Sequence, residues 1–160
     1  EAEGIVCTGP FSSLEDLDVY LPDFEFAKKR GLKLLCANPD IIVDRGSVRE
    51  WCAGALAKMY TDLGGESLYF GKPFKPIYDL ARRRLEASGV QIKNNRILAI
   101  GDGITTDILG AEKEGIDSLF ITGGLAALET GTKEQPDQDL LKHYLDQQKL
   151  SPAYSIGFLR

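Results

Sequence analysis

The chain has 160 residues, 43% of them hydrophobic, with 24 acidic residues against 19 basic ones, a formal charge of −5 and a pI near 5.0. That length suits one ordinary domain or two small lobes, and the acidic balance argues against a sequence-independent nucleic-acid binder, which needs a basic face. No stretch approaches the ~20 apolar residues of a membrane span, and nothing at the start reads as a signal peptide. Glu1, rather than Met, leads almost directly into an apolar run, which reads as an interior start. Cys7, Cys36 and Cys52 are odd in number, sit in apolar runs and lack metal-type pairing, as expected of buried thiols in a reducing cytoplasm.

In chain order, residues 4–8 read as a strand closed by Gly9-Pro10. A helix is predicted from Ser13 with Asp16 as its capping partner. Its apolar face is Leu14, Leu17, Leu21 and Phe24, Pro22 should kink or split it, and Gly31 closes it. Residues 32–37 are a second buried strand ending at Asn38-Pro39-Asp40, a turn signature. Ser47 with Glu50 spells a capping box, and the helix after it is expected to bury Val48, Trp51, Cys52, Ala55, Leu56, Met59, Tyr60 and Leu63. Gly64-Gly65 end that helix, and residues 67–70 form a short strand before Gly71-Lys72-Pro73. Pro76 suits a first helical turn, with Ile77, Leu80, Ala81 and Leu85 as the core face. Residues 96–101 are a strand, 105–114 a helix and 117–122 another buried strand. Residues 125–138 are polar and loop-like, 137–149 a last helix with Leu140, Leu141, Tyr144 and Leu145, and 154–159 a candidate final strand. Alternating strands and helices imply a parallel sheet with right-handed crossovers.

The chemistry gathers around residues 97–107. Four consecutive apolar residues, Ile97-Leu98-Ala99-Ile100, suit a strand buried on both faces, and the run stops at Gly101-Asp102-Gly103. Ligands of open α/β sheets sit outside the carboxyl ends of the strands, so Asp102 is delivered to the reactive rim, with Asp107 about one helical turn beyond. Two carboxylates there could hold a hard cation such as Mg²⁺. Alternatively, Asp102 only terminates a strand and Asp107 only decorates a first turn. Gly123-Gly124 lies on the same rim, either approaching a phosphate or simply turning the chain. Lys72 follows a strand and precedes a helix N-terminus, a place that favours anions; the other reading is a solvated lysine. Asp44-Arg45 could touch a substrate anion or form a loop ion pair, and His143 reads as a solvated surface residue. There is no P-loop and no Gly-x-Gly-x-x-Gly fingerprint.

Gly71-Lys72-Pro73 followed by Gly101-Asp102-Gly103-Ile104-Thr105-Thr106-Asp107 resembles the third and fourth motifs of the haloacid dehalogenase (HAD) superfamily. Cys36-Ala37-Asn38-Pro39-Asp40 followed by the Trp51 helix resembles the cap of its N-acetylglucosamine-operon and nitrophenylphosphatase-like branch, subfamily IIA. The resemblance spans residues 4–128. It implies an α/β fold: a Rossmann-like parallel sheet, the C-terminal half of the HAD core, with part of an α/β cap domain. Residues 1–67 would be the later part of the cap and 68–160 the later part of the core. A βαβ reading of the strand at 67–70 puts it in the main sheet, whereas the resemblance makes it close the cap and leaves Lys72 at the hinge; the second reading is preferred, because 67–70 is short and less apolar than 97–100.

The implied activity is a Mg²⁺-dependent phosphatase acting on a small phosphorylated metabolite through an aspartyl-phosphate. Asp102 would be the metal ligand, and Asp107 would help through water or by orienting Lys72. Lys72 would pair with the nucleophile and the transferring phosphoryl group. Asn38 and Asp40 would lie on a cap loop facing the substrate, or else make an Asx-type turn. The family's first motif, Asp-x-Asp-x-(Thr/Val), has no match, since the first strand, Gly4-Ile5-Val6-Cys7-Thr8-Gly9, carries no acid; the second motif is not identifiable either. No nucleic-acid or membrane partner is expected, and a homo-oligomer is allowed. The rivals are a non-catalytic, receiver-like module with an acidic pocket and a nucleotide- or sugar-binding domain without hydrolysis.

Overall fold

The computed structural model of the chain describes residues 2–12 and 14–159. It divides into two compact units, one through Pro76 and one from Ile77 on. Both are α/β. Among the described residues, no helix is long and apolar enough to cross a membrane.

The first unit is built on a parallel sheet of β1 (Gly4–Cys7), β2 (Lys33–Cys36) and β5 (Glu66–Tyr69) in the order β1-β2-β5. In register, Cys7 stands beside Cys36 and Cys36 beside Tyr69, so the three carboxyl ends share one rim. The strand expected at 67–70 thus pairs with β2 and not with the strand at 98–101. Helices α1 (Leu21–Lys29) and α2 (Ala53–Asp62) contribute Phe24, Ala27, Ala53, Leu56, Ala57 and Tyr60 to a core around Leu34 and Cys36. Tyr60 also donates its hydroxyl to the Leu32 carbonyl at 2.5 Å, which satisfies the polar end of a buried ring. Leu34 is fully buried on the central strand, whereas Val6 is 72% exposed on the edge strand β1. Leu34→Ala is therefore expected to destabilise this unit by about 2–5 kcal/mol, lost transfer energy plus a cavity. Val6→Ala should stay within about 0.5 kcal/mol of wild type. Urea midpoints at constant slope measure both.

Two helical expectations in this unit are corrected. The helix expected from Ser13 begins later, and Ser13 itself lies outside the described residues. A 3-10 turn, Leu17–Tyr20, capped by Asp16, comes first, and α1 then starts with Pro22 in its first turn, where a missing N–H is harmless. The 3-10 turn buries Tyr20 and α1 buries Phe24 and Ala27, while Leu14 is 65% exposed. The capping box at Ser47 and Glu50 caps nothing. Residues there form a hairpin of β3 (Ile42–Arg45) and β4 (Val48–Trp51), turned at Gly46-Ser47 with Gly46 at φ +63°, as a two-residue hairpin turn requires. Asp44 and Arg45 pair across it with Arg49 (2.8 and 3.0 Å) and Glu50 (3.0 Å), not with each other, and the Arg49 guanidinium holds the Asp44 carboxyl below its usual range. Val48 and Trp51, expected in the core, are exposed.

The second unit carries a parallel sheet of β6 (Leu98–Gly101), β7 (Asp117–Ile121) and β8 (Tyr154–Ile156), in the order β6-β7-β8. A π-helical turn, Ile104–Ile108, runs into α4 (Leu109–Glu114), and α5 (Gln138–Gln148) connects β7 to β8. Asp137 caps α5, its carboxylate accepting from Asp139 N and Leu140 N at 3.0 Å. The core is Ile108, Phe120, Ala126, Leu141 and Leu150, with Tyr144 stacked on Phe120. Helix α3 (Lys75–Ala87) is tied to α4 by an Arg82–Glu114 ion pair. None of its described residues is buried, so its expected core face at Ile77, Leu80, Ala81 and Leu85 is not a core here. Leu98 and Ile100 of the edge strand β6 are likewise 44% and 50% exposed.

Candidate functional site

Each unit presents candidate residues where its parallel strands end. In the first unit, β2 runs into Asn38-Pro39-Asp40 and β5 into Gly71-Lys72. The Asn38 carboxamide oxygen accepts from Asp40 N at 3.3 Å, an Asx turn, so the turn reading of this loop is realised whatever else it does. The loop is anchored from both sides. Gly54 N, in the first turn of α2, donates to the Asp40 carbonyl at 3.0 Å. Gly71 packs so closely on the Pro39 ring that a Cβ there would lie 2.1 Å from Pro39 Cδ. Asn38, Asp40 and Lys72 are thereby carried on touching segments at one rim. Lys72 is exposed, and the Lys72–Pro73 peptide is cis. Beneath them Cys36 donates its thiol to the Asn38 carbonyl at 3.3 Å, and burial pushes that thiol up to about 11, which leaves it a packing group at neutral pH. All three cysteines are free and buried.

In the second unit, β6 ends at Gly101 and delivers Asp102. The next turn folds back on the loop: Thr106, Asp107 and Ile108 all donate their amides to the Gly103 carbonyl, at 3.2, 2.8 and 3.1 Å. The Asp107 side chain is buried, and its Oδ2 accepts from Gly103 N at 3.1 Å. A Cβ at Gly101 would lie 2.1 Å from Asp107 Cγ, so Asp107 grips the loop that carries Asp102. Asp102 itself is half-buried, and its Oδ2 accepts from Leu125 N at 3.3 Å. Gly124 passes so near that a Cβ would stand 2.0 Å from that oxygen. Gly123-Gly124 therefore does more than turn the chain. The Leu125 amide escapes sequence reasoning because a backbone donor carries no residue signature; the paired glycines were the one available hint. His143 is exposed on α5, beside Gln147, away from these residues in its contacts.

A parallel sheet with an Asp-bearing loop at a strand's carboxyl end, locked by a second Asp one turn on, defines a Rossmann-like α/β protein with a rim site. The HAD-hydrolase-like family model matches residues 69–147. A haloacid dehalogenase-like hydrolase from Brucella suis 1330 is 39% identical with a TM-score of 0.79, covering 100% of this chain and 56% of its own. A possible sugar phosphatase of the HAD superfamily from Cytophaga hutchinsonii is 22% identical over 100% of this chain and 54% of its own, with a TM-score of 0.71. The p-nitrophenyl phosphatase from Archaeoglobus fulgidus is 19% identical over 97% and 53%, with a TM-score of 0.66. The last two likenesses are likenesses of fold alone. No curated protein sequence matches the chain. The chain belongs to the haloacid dehalogenase superfamily, and it spans little more than half the length of these solved relatives.

Proposed function

We propose that this chain supplies the cation-holding and phosphate-neutralising groups of a Mg²⁺-dependent phosphatase that hydrolyses a small phosphorylated metabolite. The observation that carries the reading is the Asp102 carboxylate, delivered at the carboxyl end of β6 with one oxygen held by the Leu125 amide. Asp102 and Asp107 are hard oxygen donors of the kind Mg²⁺ takes, and Mg²⁺ is commonly held by one or two carboxylates plus water and substrate phosphate. Among the described residues no group of three or more His, Cys, Asp or Glu gathers that could hold a metal, so this chain's share is Asp102 with Asp107 in support. A bound cation would supply neutralisation of phosphoryl charge. Lys72 adds a second positive charge for the phosphoryl group, and Asn38 and Asp40 offer polar contacts to the rest of the substrate.

Hydrolysis through an aspartyl-phosphate needs a carboxylate aimed at phosphorus, and neither Asp102 nor Asp107 can serve while one holds the cation and the other grips its loop. The nucleophile in this reading lies outside residues 1–160, and the chain alone is inactive. The division into a cap portion at 1–67 and a core portion at 68–160 belongs to the same proposal. So does a reducing, cytoplasmic setting, which three free buried thiols support. Nucleic acid and membrane are not part of it, and the exposed β6 edge remains open to pairing with another chain.

The test is an assay of the intact protein on p-nitrophenyl phosphate and a panel of sugar phosphates, with Mg²⁺ and with EDTA, beside the 160-residue chain alone. Mg²⁺-dependent turnover by the intact protein and none by the chain is expected. Turnover by the chain alone that Asp102→Ala abolishes would overturn the division of labour. No turnover by the intact protein on any ester would favour a non-catalytic module with an acidic pocket.

A further inference from the structure

We propose that three threonine hydroxyls, those of Thr122, Thr130 and Thr132, act together as a positioning device for the Asp102 carboxylate, working through the backbone amide of Leu125. The inference rests on the reading of Asp102 as a cation ligand. The amide that holds Asp102 Oδ2 follows two consecutive glycines, Gly123 and Gly124, which have the freest backbones available and no side chains to restrain them. Its aim is therefore set by what flanks them.

On the near side, Thr122 N donates to the Ile156 carbonyl at 2.9 Å and Gly123 N to the Gly157 carbonyl at 2.8 Å, which ties the end of β7 to the end of β8. On the far side, residues 124–132 coil on themselves: Ala127 N donates to the Gly124 carbonyl (3.1 Å), Thr130 N to Ala126 (3.0 Å) and Thr132 N to Ala127 (2.8 Å). The hydroxyls join the two sides. Thr132 Oγ1 donates to Thr122 Oγ1 at 2.8 Å, and Thr122 Oγ1 donates to the Ile156 carbonyl at 3.3 Å. Thr130 Oγ1 donates to the Ala126 carbonyl at 2.7 Å and lies 2.7 Å from Thr132 Oγ1, a contact in which either hydroxyl can be the donor. Thr122 and Thr130 are fully buried. In that setting each hydroxyl depends on the next, and removing one leaves its neighbour's partner unmet. The run closes a ring around residues 123–125, with Thr122 immediately before the glycines and the Ala126 carbonyl immediately after Leu125. Sites of this kind lose function when supporting groups let a ligand drift by even an ångström.

The experiment measures hydrogen exchange of the Leu125 amide by NMR in the metal-free intact protein, as wild type, Thr130→Val and Thr130→Ser. Valine keeps the shape and removes the hydroxyl; serine keeps the hydroxyl. Thr130→Val is expected to speed Leu125 exchange about tenfold relative to the amides of β7 and to weaken Mg²⁺ binding about tenfold or more. Thr130→Ser should return both towards wild type. Unchanged Leu125 protection in Thr130→Val, or acceleration spread evenly over β7 and α5, overturns the proposal. Should the valine variant fail to fold, Thr132→Val, at a half-buried position, is measured with the same expected and overturning results. An Asp102→Ala protein that keeps its Mg²⁺ affinity overturns the cation reading instead, while the Leu125 exchange still decides the positioning role.

Discussion

Replacing Asp102 by alanine in the intact protein is expected to lower Mg²⁺ affinity by more than about 100-fold. Groups that merely orient a metal ligand typically change affinity by about 10–100-fold, and loss of the ligand itself should exceed that range. Asp107→Asn should fall within it. The Asp107 carboxylate is buried and accepts from Gly103 N, and asparagine retains a carbonyl oxygen able to accept that bond. Titration calorimetry with Mg²⁺ on the three proteins measures the order. Equal affinity in wild type and Asp102→Ala would remove Asp102 from the cation's ligands, and an Asp107→Asn loss larger than that of Asp102→Ala would reverse the two roles.

Lys72→Ala should reduce kcat by about 10²–10³-fold, the range seen when a single group that stabilises developing charge is removed. Phosphoryl transfer asks the protein chiefly for positioning and charge neutralisation, so a lysine ammonium at the phosphate contributes most in the transition state. Lys75→Ala is the control, since Lys75 is also exposed but sits three residues on, at the start of α3; its kcat should stay near wild type. Steady-state kinetics with p-nitrophenyl phosphate separates the outcomes. A loss confined to KM would make Lys72 a ground-state binding group, and equal losses in both variants would show that position 72 has no special role.

Much of the fold is legible along the chain because it rests on short-range pattern. The apolar runs at 4–7, 33–36, 98–101 and 117–121 are strands, and each ends within three residues of a Gly or Pro. The hairpin at 42–51 shows where local pattern misleads. Ser47-x-x-Glu50 spells a helix start, but a cap contributes only about 1 kcal/mol. Gly46 at positive φ, with two cross-strand ion pairs and the antiparallel ladder, outweighs it. Helix α3 shows the opposite case: its periodicity is real, yet nothing in the described residues buries its apolar face.

By itself the sequence determined the alternation of strands and helices, the delivery of Asp102 at a strand end and the proximity of Asp107 along the chain, all consequences of spacing within a dozen residues. Tertiary structure alone decided that β7 lies between β6 and β8, that Gly71 seats on the Asn38-Pro39-Asp40 loop, and that the Leu125 amide, 23 residues from Asp102, holds its carboxylate. The physical reason is common to all three. Strand order, close backbone approach and the aim of a main-chain N–H arise from contacts between segments distant in sequence, and those contacts come into being only when the chain has closed on itself.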